Sequence, residues 1–414
     1  MELASAAAGD RGRGAEVCFV WVARERGVGR QQEKRGRSQV CSCLSWRPVA
    51  HSFPSPLLPT PHSEATSIAY AEGGEINIFN PISLLVSMAE LQPVASLRGK
   101  SITSAEQFTR ADIDALLRLA GAMQRRVEGG EVLNLLQGRI MTPLFFEDSS
   151  RTFSSFCAAM IRLGGSVVNF KVETSSISKG ETLTDTIRAL DSYSDVLVMR
   201  HPRQDAVHEA LSVAQHPIMN AGNGAGEHPT QALLDTLTIH AELGCVDGVT
   251  VALIGDLKMG RTVHSLLKLL VRNFSLKCVF LVAPDALQMP QDVLDSLQQE
   301  IAATGVVIRR THALTEEVMR QSDVLYATRL QKERFAASAG DDAAAMQSFA
   351  AAKANITIDA ARMQLAKPKM IVMHPLPRND ELSTAVDTDP RAAYFRQMRY
   401  GMFMRMALLW SVLA

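Results

Sequence analysis

Apolar positions in this chain fall into short runs, separated by polar or glycine-rich turns and by stretches of helical period, and the alternation is regular from about Leu97 onward. The largely apolar run Ile140 to Phe146 has the length of a buried strand. After a charged, hydroxyl-rich turn, Phe156-Cys157-Ala158-Ala159-Met160-Ile161-Arg162-Leu163 carries on with helical spacing until Gly164-Gly165 ends it. Upstream, Thr109 to Met123 has a Thr cap and apolar residues at Ile113, Leu116, Leu117, Ala120 and Met123, the stripe of an amphipathic helix. Further strands are predicted at Ser166 to Phe170, Asp195 to Met199, around Pro217 to Asn220, and at Val249 to Ile254. Lys277 to Val282, Val306 to Arg309, Val324 to Ala327 and Met370 to Met373 continue the series, and a loop over Ser175 to Thr182 opens a helix from Leu183 to Ser192. The last helix, Tyr394 to Leu413, is rich in Met, Leu and Trp and reads as core packing onto the first domain. Strands alternating with helices predict an α/β fold of two doubly wound parallel-sheet domains linked by helices.

The first 87 residues break this pattern. Arginines crowd Arg11 to Arg47, a Pro/Ser tract runs from Ser52 to Pro61, and no amphipathic period persists, so a disordered leader is expected. Its Arg and Ser content suits a transit peptide, which Glu2, Asp10, Glu16, Glu25 and Glu33 argue against; the alternative is a natural start at Met88. Over all 414 residues the formal charge is zero, which points to neither nucleic acid nor an anionic membrane as partner. No apolar run reaches the roughly 18–20 residues that span a bilayer. The six cysteines are scattered apart from Cys41 and Cys43, which suggests reduced thiols in a cytoplasmic protein without a metal site.

The candidate chemistry sits where strands end. Ser149-Ser150-Arg151-Thr152 lies between the Ile140 strand and the following helix, so hydroxyls, a guanidinium and free N–H groups meet at the positive end of a helix dipole. That is an anion site suited to phosphate, although Ser and Thr also favour helix starts as plain N-caps. Arg200 and His228 follow the next two strands, and in parallel sheets ligands collect beyond the carboxyl ends of strands. Singly, His228 before Pro229 reads equally as a satisfied turn histidine, and Lys179 as a solvated loop lysine. Gly255 to Thr262 nearly spells a P-loop with Arg261 in place of the lysine. Arg does not replace that lysine freely, whereas it holds a carboxylate with two parallel hydrogen bonds, so Arg261 reads as a carboxylate clamp. Arg329 joins it on the same rim, and two arginines suit a dicarboxylate. The turn His374-Pro375-Leu376-Pro377-Arg378 presents the Leu376 carbonyl rigidly, while Glu333, Arg334 and Arg378 read as ion-pair partners on the surface or between domains.

Five segments together resemble the aspartate carbamoyltransferase family, which joins carbamoyl phosphate to L-aspartate in pyrimidine synthesis. They are Phe145 to Phe156, Ser175 to Thr182, Arg200-His201-Pro202 with His228-Pro229-Thr230-Gln231, Gly255 to Ser265, and Arg329 to Arg334 with His374 to Arg378. The resemblance runs from Leu97 to the end of the chain. It implies a carbamoyl-phosphate domain over 88–229 with 401–414 and an aspartate domain over 230–400. It also implies that Ser149, Ser150, Arg151 and Thr152 grip the phosphate, that Thr152, Arg200 and His228 polarise the carbamoyl oxygen, and that Gln231 holds the carbamoyl NH2. Ser175 and Lys179 would enter from a neighbouring subunit of a homotrimer. Arg261, Arg329, Gln331 and Lys179 would hold the aspartate carboxylates, and the Leu376 and Pro377 carbonyls would touch the carbamoyl group or the amine. Neither cofactor nor metal is implied; a complex with other enzymes of the pathway is a further association that the resemblance admits. Two departures stand out: Phe153 where the family often has Arg, and Ser150 where Thr is common. Ornithine carbamoyltransferases share the phosphate half but carry His-Cys-Leu-Pro where this chain has His374-Pro375-Leu376-Pro377, and they lack the Arg329-x-Gln331 pair. A P-loop-like nucleotide hydrolase and a non-catalytic sensor of the same ligands are the remaining alternatives.

Overall fold

The computed structural model describes residues 68–72, 75–79, 90–330 and 342–414. Gln331, Glu333 and Arg334 lie outside the described residues, as does most of the leader. Within the leader, β1 (Ile68–Glu72) and β2 (Glu75–Phe79) pair as an antiparallel hairpin, a unit separate from residues 91–414.

The body from Leu91 holds two parallel sheets, as the alternation predicts. The first comprises β3 (Ile140–Phe145), β4 (Ser166–Val167), β5 (Val196–His201) and β6 (Ile218–Asn223), in the order β4-β3-β5-β6. The second comprises β7 (Thr250–Ile254), β8 (Cys278–Val282), β9 (Val307–Thr311), β10 (Val324–Ala327) and β11 (Ile371–Met373), in the order β11-β10-β7-β8-β9. In each sheet the chain reverses direction once, between β3 and β5 and between β7 and β10. At such a switch point adjacent strands send their following loops apart and leave a crevice at the carboxyl edge.

One strand is much shorter than its sequence suggests. Ser166 to Phe170 has strand composition, but pairing stops at Val167, with a last bond from the Val168 N–H to the Met141 carbonyl. The next donor toward this edge would come from residue 143 of β3, which is proline and has no N–H to give.

Six helices matter for the site: α1 (Arg110–Glu128), α2 (Ser150–Arg162), α3 (Leu183–Asp191), α4 (Ala206–Leu211), α5 (Pro229–Leu243) and α6 (Arg261–Asn273). Thr109 caps α1 in a reciprocal box with Asp112, and the five apolar residues of its sequence stripe are all buried. Helix α5 is buried on every side from Pro229 to Ile239, because it runs between β6, α6 and the C-terminal helix Tyr394–Leu413. That last helix packs on α1, α2 and α5, with Trp410 donating to the Leu91 carbonyl and Ser411 accepting from the Val94 N–H.

Candidate active site

Both switch points open onto one cleft of about 1210 Å3, lined by residues 147–152, Arg200, His228, Gln231, Arg261, Arg329 and 374–377 among others. The first sheet contributes its share through β3 and β5. Ser149 occupies the N-cap of α2 at φ −159 and ψ 81, yet its side chain makes no capping bond. The plain N-cap reading of this turn therefore fails, and the first N–H groups of α2 keep their capacity for an anion. Arg151 projects from the first turn and donates to the Leu376 carbonyl at 2.7 Å, while Thr152 is buried beside it. Phe153 faces away from this chemistry to pack edge-on against Phe145, with ring centroids 5.4 Å apart.

Arg200 leaves β5 where the pairing register with β6 shifts, an irregularity that re-aims a side chain. Its Nε lies 3.2 Å from a carboxylate oxygen of Glu147, close enough for an ion pair though not aligned as a hydrogen bond. Burial, with the like charges of Arg261 and Arg151, lowers its pKa to about 10. Arg261, the first residue of α6, reaches the same Glu147 oxygen at 3.2 Å and donates to the Gly224 carbonyl at 2.7 Å. Its guanidinium lies flat across the end of β6 only because residue 222 is glycine. A Cβ there would sit 3.0 Å from the Arg261 Cζ, and the φ of +117° already excludes most side chains.

His228 is buried ahead of Pro229, its N–H donating to Ser265 Oγ at 3.1 Å and its Nδ1 without a partner. Burial, then the charges of Arg261, Arg200 and Arg405, hold its pKa well below the usual value, so the ring is neutral at pH 7. One helical turn on, the Gln231 amide donates to Asp235 Oδ1 at 2.9 Å. The same oxygen receives the Gln397 amide at 2.7 Å, and Oδ2 receives the Tyr326 hydroxyl at 2.8 Å. Asp235 is fully buried, and desolvation outweighs these bonds to raise its pKa to about 7.

From the second sheet, Arg329 follows β10 and is exposed to the cleft. After β11, Leu376 adopts a left-handed φ of 56°, rare for a side chain of its size. A buried brace holds it there: His374 Nδ1 accepts the Leu376 N–H at 2.8 Å, and His374 Nε2 pairs with Glu381 at 2.9 Å. Arg378, read as an ion-pair residue, pairs with Asp387. Beneath the cleft, Arg405 is buried with one bond to Ser155 Oγ at 2.8 Å and the Phe156 ring 4.9 Å away.

Of the residues singled out by sequence, Ser149, Ser150, Arg151, Thr152, Arg200, His228, Gln231, Arg261, Arg329, Leu376 and Pro377 all line this cleft. Ser175 and Lys179 do not. Ser175 caps a short helix over Ser176–Lys179, and Lys179 is exposed elsewhere on the same chain. Glu147, Asp235, Tyr326, His374, Gln397 and Arg405 were not assigned a role from sequence. A signal existed for two of them: an acid four residues after Gln231 in a helix otherwise free of acids until Glu242, and an arginine inside Met404-Arg405-Met406-Ala407-Leu408-Leu409. Among the described residues, no cluster of three or more His, Cys, Asp or Glu is arranged to hold a metal ion.

Comparison with known proteins adds independent findings. The pattern of the aspartate/ornithine carbamoyltransferase carbamoyl-P binding domain matches residues 100–241, and that of the Asp/Orn binding domain matches residues 247–412. The chain is 44% identical over 315 residues to the aspartate carbamoyltransferase catalytic subunit of Archaeoglobus fulgidus, covering 76% of this chain and 99% of that protein. It is 46% identical over 319 residues to the multifunctional protein pyr-3 of Neurospora crassa, covering 77% of this chain but only 17% of the much longer relative. Crystal structures of aspartate transcarbamoylase from Trypanosoma cruzi are also similar. The complex with N-(phosphonacetyl)-L-aspartic acid is 85% identical with a TM-score of 0.75, and the complex with carbamoyl phosphate and aspartate is 84% identical with the same score. Both cover 79% of this chain and 100% of the solved one.

Proposed function

The chain belongs to the aspartate/ornithine carbamoyltransferase family, and we propose that it transfers the carbamoyl group of carbamoyl phosphate to the amine of L-aspartate, giving N-carbamoyl-L-aspartate and phosphate. One observation carries this reading. Each sheet sends cations from its own switch point into a common cleft, Arg151 and Arg200 from the first and Arg261 and Arg329 from the second. That charge pattern fits an anionic donor beside a dicarboxylic acceptor. It disfavours ornithine, whose side chain would bring a further cation to Arg261 and Arg329.

The chemistry needs no covalent intermediate. The uncharged amine of aspartate attacks the carbonyl carbon, the new C–N bond forms, and the C–O bond to phosphate breaks. The proton released from nitrogen leaves on the phosphate dianion. Charge develops on the carbamoyl oxygen and on the departing phosphate, and Thr152, Arg200 and neutral His228 act on the first. Ser149, Ser150, Arg151 and the free N–H groups of α2 act on the second. Donors held in place before the reaction lower the barrier without reorganisation, on the order of 3–4 kcal/mol each. Holding both substrates in one cleft supplies proximity.

Ser175 and Lys179 complete the site from a neighbouring subunit of a homotrimer, a reading supported by their absence from the lining of their own chain's cleft. Residues 88–229 with 401–414 form the carbamoyl-phosphate domain and 230–400 the aspartate domain. The protein acts in the cytoplasm in pyrimidine synthesis, and the multifunctional relatives support association with other enzymes of that pathway. No helix among the described residues is long and apolar enough to cross a membrane.

The test is a colorimetric assay for N-carbamoyl-L-aspartate with the purified protein, with L-ornithine as the competing acceptor. Turnover with aspartate, absent with ornithine and lost in Arg151→Ala, is expected. Citrulline formation instead would overturn the choice of acceptor. Mixing Arg151→Ala with Lys179→Ala should return some activity through hybrid trimers. No recovery, with subunit exchange demonstrated, would overturn the shared site.

A further inference from the structure

We propose that Asp235 is the positioning residue that makes this site choose an NH2-bearing donor, by fixing the polarity of the Gln231 amide and, through Gln397, the loop that presents the Leu376 carbonyl. The proposal rests on the reading of the cleft as a carbamoyl-phosphate site.

An amide side chain offers two donors on nitrogen and an acceptor on oxygen, and a half-turn exchanges them. At the Gln231 position the two settings have opposite meanings. With nitrogen toward the cleft the site would repel a carbamoyl NH2, and with oxygen toward the cleft it would bind one. Asp235 decides between them. Its Oδ1 takes a Gln231 N–H at 2.9 Å, which turns the amide nitrogen toward the protein interior and leaves the oxygen for the cleft. A proton on Oδ2, beside Tyr326, would leave this arrangement unchanged, because Oδ1 remains an acceptor.

The same oxygen fixes a second acceptor. Gln397 donates to Asp235 Oδ1 at 2.7 Å, which turns its own carbonyl toward the His374 N–H at 2.9 Å. His374 in turn accepts the Leu376 N–H, which fixes the backbone there so that the Leu376 carbonyl faces the cleft; one of its lone pairs takes the Arg151 N–H at 2.7 Å and the other stays open to a ligand donor. Two acceptors with one buried origin match the two N–H bonds of a carbamoyl group. A methyl group of the same size would leave both without a partner, and such sites discriminate strongly against analogues that lack the hydrogen-bonding group.

The experiment uses two stable phosphonates that differ only at this position, phosphonoacetamide and acetonylphosphonate, with inorganic phosphate as the control. Affinities are measured by calorimetry, so no turnover is required. The native protein should prefer the amide by about tenfold or more. Asp235→Leu should remove most of that preference while phosphate binding stays within about twofold of native. Asp235→Asn, whose oxygen can still accept both amides, should keep the preference within about threefold. An unchanged preference in Asp235→Leu, or a loss in Asp235→Asn as complete as in Asp235→Leu, would overturn the assignment. Should Asp235→Leu fail to melt cooperatively, Gln397→Leu is the substitute. It keeps Asp235 but frees the His374 loop, and a preference unchanged from native would count equally against the proposal. A native protein that binds neither phosphonate would instead overturn the carbamoyl-phosphate reading itself.

Discussion

Replacing Arg405 by methionine should make the protein more stable and a poorer binder of phosphate. Arg405 is only 3% exposed, its guanidinium donating to Ser155 Oγ while its Nε bonds nothing. Its pKa falls from 12.5 to about 10, mainly through desolvation, so keeping it charged in the folded state costs about 3 kcal/mol. Against that stand one hydrogen bond, worth about 1 kcal/mol, and a cation–π contact with Phe156 worth about 1–2 kcal/mol. Methionine fills similar volume and keeps the contact with the ring, so a net gain of about 0–2 kcal/mol follows, or up to a few degrees in Tm. The function of the charge is electrostatic: it lines the base of the cleft and helps keep His228 neutral. Across several ångströms at an effective dielectric of ~20, a unit charge is worth on the order of 1–3 kcal/mol, so the inhibition constant for inorganic phosphate should rise about tenfold. Thermal unfolding and phosphate inhibition, measured on the same preparation, decide the matter. A clear fall in Tm with phosphate affinity intact would refute the reasoning, because the arginine would then be structural.

Arg329→Ala should raise the KM for aspartate by at least tenfold while leaving phosphate inhibition within about twofold, since Arg329 follows the second sheet and not the first; initial-rate kinetics with each substrate varied would check this. Asp235 gives a signed pH effect on stability. Its folded pKa of about 7 lies above the ordinary 3.8, so between about pH 4 and 7 the folded state holds a proton that the unfolded chain has released. The contribution of this group is therefore greatest below pH 4 and is lost as pH rises through 7. Asp235→Asn should flatten the decline in Tm between pH 5 and pH 8, and equal slopes in the two proteins would contradict the assignment. Glu381→Gln should loosen the His374 brace, because a neutral amide replaces the carboxylate at His374 Nε2. A several-fold loss of kcat with little change in phosphate inhibition is expected, and unchanged kcat would show that Leu376 holds its conformation without it.

Where residues decided their own conformation, the sequence was a good guide. Val324 to Ala327 and Tyr394 to Leu413 have the limits read from their apolar pattern, and Thr109 caps α1 as expected. The Ser166 strand was misread because its length depends on a proline in its neighbour, a tertiary fact invisible in its own composition. The site divides in the same way. Arg151, His228 and Arg261 declare themselves by following strands, and Arg200 by lying at the carboxyl end of one. Asp235 and Tyr326, 91 positions apart, and Arg405 and Ser155, 250 apart, gain their roles only when folding brings them together. No local pattern carries that information.

The last helix has a consequence for the order in which the molecule is made. Its residues Trp410 to Val412 clasp Leu91, Val94 and Gly99, the opening segment of the body, and its side chains complete the layer over α1 and α2. On the ribosome the strands of the first sheet emerge early, yet they wait without their final cover until some 170 further residues have been translated. The half that is born first is thus sealed last, and during that interval its apolar surface is the part of the nascent chain most in need of a chaperone.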